Sequence, residues 1–346
     1  MQQYGVLVVD DSSFMRRSIS ILIEQDPQFF IIGIARNGID AISKIQRLKP
    51  DIVTMDVEMP EMDGIEALTE IMKNCPVPVI MLSNHTVDGA KTTIKALELG
   101  AVDFFLKSSI IGEDANPQAV KQFLASLKAI VENGRIPVRK DEQKAEESNN
   151  DKQSVTKADI LVIGCSTGGP SALQSLLPRF PKNFHIPIVV IQHMPVGFTG
   201  PLAERFNTIC NLAVKEAVNG DILEAGKIYI APAGYQIFFH RKPDGSVVIK
   251  LDEHSPIETL YTPSVSVALM SAAQVFKNRL VAVIMTGMGN DGLVGCEDVK
   301  KYNGKVIVES EETCVVYGMP KVVYEAGLAD KQVPLSQIYS QVLQFI

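Results

Sequence analysis

Two sets of residues in this 346-residue chain have types and spacing suited to chemistry, and both collect where β-branched runs end. In the first, Asp10 and Asp11 close the run Val6–Asp10, with Ser12 placed to cap a following helix. Asp56 follows Ile52–Met55 in Met55-Asp56-Val57-Glu58-Met59-Pro60, Ser83 follows Val77–Leu82, and Lys107 ends Val102–Leu106. Three carboxylates brought that close repel one another unless a cation intervenes, and Mg²⁺ suits such a site. Asp56 is then able to attack a phosphoryl donor as a carboxylate nucleophile. Lys107 supplies a point positive charge, and Ser83 a hydroxyl for the new phosphate. For any single residue, capping or solvation is an equally good reading. For five residues at four strand ends it is a poor one.

The second set lies beyond residue 158. Gly164-Cys165-Ser166-Thr167-Gly168-Gly169-Pro170 satisfies G-x-S-x-G between a strand and a helix, a turn that exposes a serine hydroxyl. Alone it is a weak signal, and a glycine-rich anion cradle competes with it. A nucleophilic serine needs a base. His193, in Gln192-His193-Met194-Pro195, follows the strand-like Ile186–Ile191, whereas His85 belongs to the first region and His185, His240 and His254 sit in or beside turn-like segments. The third member should be a carboxylate, and Asp291 stands in Thr286-Gly287-Met288-Gly289-Asn290-Asp291-Gly292 after the run Leu280–Met285. That glycine loop lets backbone N–H groups approach an oxyanion. Alternatively, Asp291 merely caps the next helix. A thiol nucleophile at Cys165 is the smaller competing possibility, since its side chain is expected to point into the sheet.

The elements that must position these residues follow from periodicity. Five strand-like runs over 4–133, adding Phe30–Ala35 to those above, alternate with helical patterns such as Phe14, Ile19, Leu22 and Ile23. This predicts a flavodoxin-like α/β domain with a parallel sheet, whose ligands bind at the carboxyl ends of the strands. Residues 134–157 are rich in charge and amide, with only Ile136, Val138 and Val155 as sizeable apolar anchors, and read as a flexible linker. Strands resume at Ile160–Ile163, Ile186–Ile191, Ile228–Ile230 and Leu280–Met285. Helices are expected over Pro170–Leu177, Pro201–Cys210, Pro263–Phe276 and Asp291–Tyr302, with a hairpin of Ile237–Phe239 and Val247–Leu251. The domains expected are thus 1–133, a 134–157 linker, and 158–346, the last a doubly wound α/β domain with a mainly parallel sheet.

Bulk properties narrow the class. The net charge of -7 argues against a nucleic-acid partner. No apolar run approaches the ~20 residues of a membrane span, so no membrane insertion is expected. Five cysteines without CxxC spacing read as reduced thiols of a cytoplasmic protein rather than a zinc or disulfide framework.

Residues 4–130 resemble the receiver domain of two-component response regulators, through Val-Val-Asp10-Asp11-Ser-Ser, Met-Asp56-Val-Glu-Met-Pro-Glu-Met-Asp-Gly64 and Gly100-Ala-Val-Asp-Phe-Phe-Leu-Lys107. The resemblance implies that Asp56 is the phosphoacceptor, that Asp10 and Asp11 help bind Mg²⁺, and that Phe104 is the switch aromatic. Ser108 stands where receivers usually carry proline. The whole chain resembles the chemotaxis-type protein-glutamate methylesterases. The stretches that carry this are Ile163-Gly-Cys-Ser166-Thr-Gly-Gly-Pro170, Ile191-Gln-His193-Met-Pro195, Tyr229-Ile-Ala-Pro-Ala-Gly234, Thr286-Gly-Met-Gly-Asn-Asp291-Gly292 and Tyr317-Gly-Met-Pro-Lys321. That family implies Ser166 as nucleophile, His193 as base, Asp291 as orienting acid and the Met288 N–H as oxyanion donor, with no cofactor in the catalytic domain. It also implies methylated chemoreceptors as substrate, a chemotaxis histidine kinase as phosphodonor, glutamine deamidation as a second activity, and a receiver that covers the active site until phosphorylated. Thr262 replaces the family's frequent arginine before Pro263-Ser264-Val265. Two rival readings stand beside this one: a phosphorylation-switched binding protein, and a nucleotide-binding regulator using the glycine-rich loop.

Overall fold

A computed structural model describes residues 2–84, 87–112, 115–133 and 157–346. The expected linker therefore lies outside the described residues except for Lys157, and so does His85. Contacts divide the chain into two compact units, Met1–Arg139 and Lys140–Ile346.

The first unit carries β1 (Tyr4–Val9), β2 (Phe29–Ala35), β3 (Ile52–Asp56), β4 (Val79–Ser83) and β5 (Asp103–Leu106), paired parallel in the order β2-β1-β3-β4-β5. Strands β1, β3 and β4 are buried along their whole length, as expected of a sheet covered on both faces. Helix Ser13–Ile23 turns Ile19, Leu22 and Ile23 inward, and Met15 N–H donates to Ser12 Oγ at its start. Asp63 caps helix Gly64–Asn74 in the same way, accepting from Ile65 N and Glu66 N. Strand order reverses between β1 and β3, which places Asp10 and Asp56 beside one another at the carboxyl edge. One boundary differs from expectation. Lys107 does not end β5 but opens the short helix Lys107–Ile110, because Ser109 Oγ turns back to donate to Leu106 O. The Lys107–Ser108 bond is trans.

The second unit holds β6 (Ile160–Cys165), β7 (Ile188–Gln192), β8 (Ala213–Glu216), β9 (Lys227–Ile230), β10 (Gln236–Arg241), β11 (Val247–Asp252), β12 (Leu280–Ile284), β13 (Lys305–Glu309) and β14 (Lys331–Val333). Seven of these form one sheet in the order β14-β13-β12-β6-β7-β9-β8, parallel at every pairing. The hairpin β10-β11 is a separate two-stranded sheet. Helix Val265–Phe276 is apolar nearly all round because it is buried on two sides. Its Ala268, Leu269, Ala272 and Phe276 join one core with Ile237, Phe239 and Ile249 of the hairpin and Val162, Ala282 and Ile284 of the central strands. Strands β8, β13 and β14 go beyond the sequence expectation, as do helices Met319–Glu325 and Leu335–Leu343. The three strands complete the two flanks of the sheet. Central strands β6, β7 and β12 carry the site, and register pairs Cys165 with Gln192 and Gly164 with Ile284.

Candidate functional site

In the first unit, Lys107 reaches both acids, with Nζ 2.7 Å from Asp10 Oδ2 and 2.7 Å from Asp56 Oδ2. Burial works against the ammonium charge, but the two carboxylates outweigh it and hold the Lys107 pKa above its usual value. Asp56 is the opposite case. Burial, with a contribution from the Asp10 charge, pushes its carboxyl up to about 6 despite Lys107. Its Oδ1 is buried without a hydrogen-bond partner among the described residues. One oxygen from each of Asp10, Asp11 and Asp56 lies within 4.8 Å of the others. Hard oxygen donors at that spacing, one of them unpartnered, fit a divalent cation with a small protein ligand set. They border an open cleft of about 560 Å³, also lined by Asn84, Lys107 and Ser108. Ser83 and Phe104 do not border it. Ser83 is buried, accepting from Thr93 Oγ1 at 3.0 Å and donating to Asn84 O, and Phe104 is 5% exposed.

In the second unit the three expected residues meet at the carboxyl edge of β6, β7 and β12. Ser166 follows β6 in a tight turn, where Gly169 N–H donates to Ser166 O at 2.7 Å and Gly168 adopts φ +77°. Ser166 N–H donates to Thr286 O, and Gly287 crosses so close that a Cβ there would stand 2.8 Å from Ser166 Cβ. Only glycine permits that approach. His193 follows β7, its N–H donating to Cys165 O at 3.2 Å. Its Nε2 lies 2.8 Å from Asp291 Oδ2.

Asp291 is nearly buried and accepts five hydrogen bonds: His193 Nε2, Ser264 Oγ, Val265 N, Ser266 N and Gly292 N, all at 2.7–2.9 Å. Burial alone would raise its pKa. His193 and the amides of Ser266 and Val265 outweigh that and hold the carboxyl far below the usual range. The carboxylate is therefore ionised and purely an acceptor, so Nε2 carries the imidazole proton and Nδ1 bears the lone pair. Nδ1 is buried and makes no hydrogen bond among the described residues, Ser166 Oγ included. A long nucleophile–base contact is common before substrate binds. The capping alternative for Asp291 is also realised, but on another helix. Ser264 is the N-cap of Val265–Phe276, and Asp291 accepts from that helix's first two amides, whereas Leu293–Lys301 begins at Gly292 with no side-chain cap.

Around the oxyanion position, Gly287 N–H is occupied by Val316 O, and Gly318 and Met319 N–H donate to Gly287 O. The N–H groups of Met288 and Thr167 have no such partner among the described residues. Cys165 is fully buried, its Sγ donating to Gln192 Oε1 at 3.1 Å, and burial pushes the thiol well above its usual range. A thiolate nucleophile there is excluded by burial. His254 is exposed beside Asp252, and His240 lies within β10.

Sequence reasoning missed several residues. Gln192 Nε2 donates to both Ser166 O (3.0 Å) and His193 O (2.9 Å), tying the Ser166 turn to His193. Its place directly before His193 was the available signal. Ser264, the N-cap of helix Val265–Phe276, donates to Asp291 at 2.9 Å, a partnership that only folding creates. Glu309 is fully buried and accepts from Thr286 N at 2.8 Å and Thr313 Oγ1 at 2.9 Å, beneath the glycine loop. Burial raises its pKa against those donors.

Comparison with known proteins agrees with this geometry. The family model described as CheB methylesterase matches residues 161–342, and that of the response regulator receiver domain matches 6–113. A protein-glutamate methylesterase/protein-glutamine glutaminase of Desulfitobacterium hafniense is 39% identical over 382 residues, covering 99% of this chain and 97% of that protein. The Thermotoga maritima protein of the same name is 42% identical over 345 residues, covering 99% and 98%. The crystal structure of the Thermotoga maritima CheB methylesterase catalytic domain superposes with a TM-score of 0.53 at 44% identity, covering 55% of this chain and all of that one. With a receiver fold, a serine–histidine–aspartate edge and relatives matched along their full length, the chain belongs to the protein-glutamate methylesterase/protein-glutamine glutaminase family.

Proposed function

We propose that this chain hydrolyses γ-glutamyl methyl esters on chemoreceptors, releasing methanol, and deamidates glutamine side chains through the same acyl intermediate, under phosphorylation control. The observation that carries the reading is the ionised Asp291 fixing His193 so that its unpartnered Nδ1 lies at the sheet edge that holds Ser166. Ser166 Oγ attacks the ester carbonyl while Nδ1 takes its proton. Asp291 stabilises the imidazolium. The Met288 and Thr167 N–H groups stabilise the oxyanion, a contribution typically worth ~3 kcal/mol of barrier per donor. The imidazolium gives the proton to the methoxy oxygen, or in deamidation to the amide nitrogen, as the tetrahedral intermediate breaks its C–O or C–N bond, and methanol or ammonia leaves the acyl-enzyme. Water, deprotonated by the same Nδ1, then releases the glutamate carboxylate and regenerates Ser166.

In the receiver, Asp56 is the nucleophile for a phosphoryl group supplied by a histidine kinase, and Lys107 exchanges its bond to Asp56 for one to the phosphoryl oxygens. Asp10, Asp11 and Asp56 would hold Mg²⁺, which when bound neutralises charge on the transferred group. Ser83 and Phe104 are assigned the switch that reports phosphorylation. The boundaries assigned are 1–133 for the receiver, 134–157 for the linker and 158–346 for the esterase, in a cytoplasmic protein. Among the described residues, no helix is long and apolar enough to cross a membrane. Methanol release from methylated receptor membranes tests the reading. Activity that rises with a small-molecule phosphodonor supports it, and purified protein that turns over no ester favours a phosphorylation-switched binding protein instead.

A further inference from the structure

Tyr261 stands outside every role assigned above. Its ring lies flat against the imidazole of His193, with centroids 3.9 Å apart and planes 5° from parallel. Its hydroxyl reaches the glycine loop, where a Cβ on Gly289 would stand 3.0 Å from Tyr261 Oη. The backbone that presents it is fastened on both sides. Gln236 Nε2 donates to Tyr261 O and Gln236 Oε1 accepts from Ser264 N, each at 2.8 Å, while Gly234 N–H donates to Thr262 O at 3.0 Å. Two residues further on, Ser264 donates to Asp291. One short segment thus delivers a flat face to the imidazole and a hydroxyl to the carboxylate at its edge.

A single hydrogen bond fixes one point of a ring and leaves it free to swing about that point. For His193 such a swing would carry Nδ1 away from the serine while the bond to Asp291 survived. We propose that Tyr261 is a positioning residue for the hydrolysis, its ring holding the plane of the His193 imidazole so that Nδ1 stays aimed at Ser166. This rests on His193 being the base. The stacked face also lies against the imidazolium once the proton is taken, an arrangement aromatic rings favour.

The test uses the full chain with phosphodonor and methylated receptor membranes. Tyr261→Phe keeps the ring and should retain kcat within about twofold, whereas Tyr261→Leu removes the stacking face and should lower kcat by about 10–100-fold. KM should change by less than about threefold in both, since the loss is of alignment rather than of uniform binding. With ¹⁵N-labelled histidine, the His193 ring signals should stay sharp in Tyr261→Phe and broaden in Tyr261→Leu. Tyr261 is only half-buried, so the leucine variant should fold; if thermal melting shows that it does not, Tyr261→Met takes its place. Wild-type kcat in the leucine or methionine variant overturns the proposal. So does a loss confined to KM with sharp imidazole signals, or a phenylalanine variant as slow as the leucine one. His193→Ala run alongside separates the two failures. If it stays active, the base assignment itself is wrong; if it is dead while Tyr261→Leu is normal, only the role of Tyr261 is.

Discussion

Asp56 and Asp291 are the same residue type, almost equally buried (2% and 6% exposed), and both stand at the carboxyl edge of a parallel sheet. Their environments drive them apart. Asp56 shares one lysine with Asp10, leaves Oδ1 unpartnered, and has its carboxyl pushed up to about 6 by burial. Asp291 accepts five hydrogen bonds, and they hold it far below the usual range in spite of burial. The first carboxylate keeps an oxygen available to form a bond. The second has its lone-pair directions engaged by His193, by Ser264 and by the amides at two helix starts, so it is left as an acceptor that holds its neighbours in place. Burial alone does not decide whether a carboxylate reacts; the donors aimed at it do.

That contrast can be broken from either side. The largest effect belongs to Ser166→Ala, which should cut methanol release by about 10⁴-fold or more, while Cys165→Ala should cost less than about tenfold. Steady-state methanol assays distinguish the two. Next is Asp291→Asn. A neutral amide favours the wrong imidazole tautomer, so kcat should fall by about 10³–10⁴-fold. Its folding stability at pH 7 should drop by ~2–4 kcal/mol, because an amide cannot satisfy all five donors. The sign of its pH dependence follows from the depressed pKa. Stability from the ionised Asp291 is fully present above the unfolded value of about 4 and is lost as pH falls below it. Urea melts of wild type and variant should therefore keep a constant gap from pH 7 down to about pH 4 and converge only as the pH falls below that.

On the receiver side, Asp56→Asn should abolish phosphodonor uptake, and chelating Mg²⁺ should do the same to the wild type; radiolabel incorporation reads both. Uptake that persists in EDTA would mean that the acidic cluster holds no metal. The smallest effect is expected at Glu309. Its pKa is raised by burial, so the charged form costs stability at neutral pH, and Glu309→Gln should change stability by less than ~1 kcal/mol in either direction. Glu309→Ala strips acceptors from Thr286 N–H and Thr313 Oγ1 and should cost ~2–3 kcal/mol by chemical denaturation.

Much of this was legible in the sequence because each candidate residue follows a β-branched run and precedes a turn. Asp10, Asp56, Ser166, His193 and Asp291 all carry that signature. What escaped was partnership across the fold. Nothing local tells that Asp291 accepts from the first amides of a helix beginning 26 residues earlier, since the distance is closed only when that helix packs beside β12. Tyr261 precedes Thr262-Pro263 in a segment without periodicity, yet its carbonyl is held by Gln236 from the hairpin. Ser83 offers a hydroxyl for a new phosphate, and nothing local tells that Thr93 of the next helix donates to it. The edge strand β8 alternates apolar and charged residues over only four positions, too short a pattern to separate from loop. Lys107 was read as the last residue of β5, and the helical turn that it opens depends on a backbone carbonyl accepting from Ser109.

The most direct test of the account is methanol release from methylated receptor membranes by full-length wild type, Asp56→Asn and Ser166→Ala, each with and without Mg²⁺ and a small-molecule phosphodonor. The account predicts a rate that rises with phosphodonor in the wild type, does not respond in Asp56→Asn, and is near background in Ser166→Ala under both conditions. Substantial methanol release by Ser166→Ala, or an undiminished response in Asp56→Asn, would contradict it.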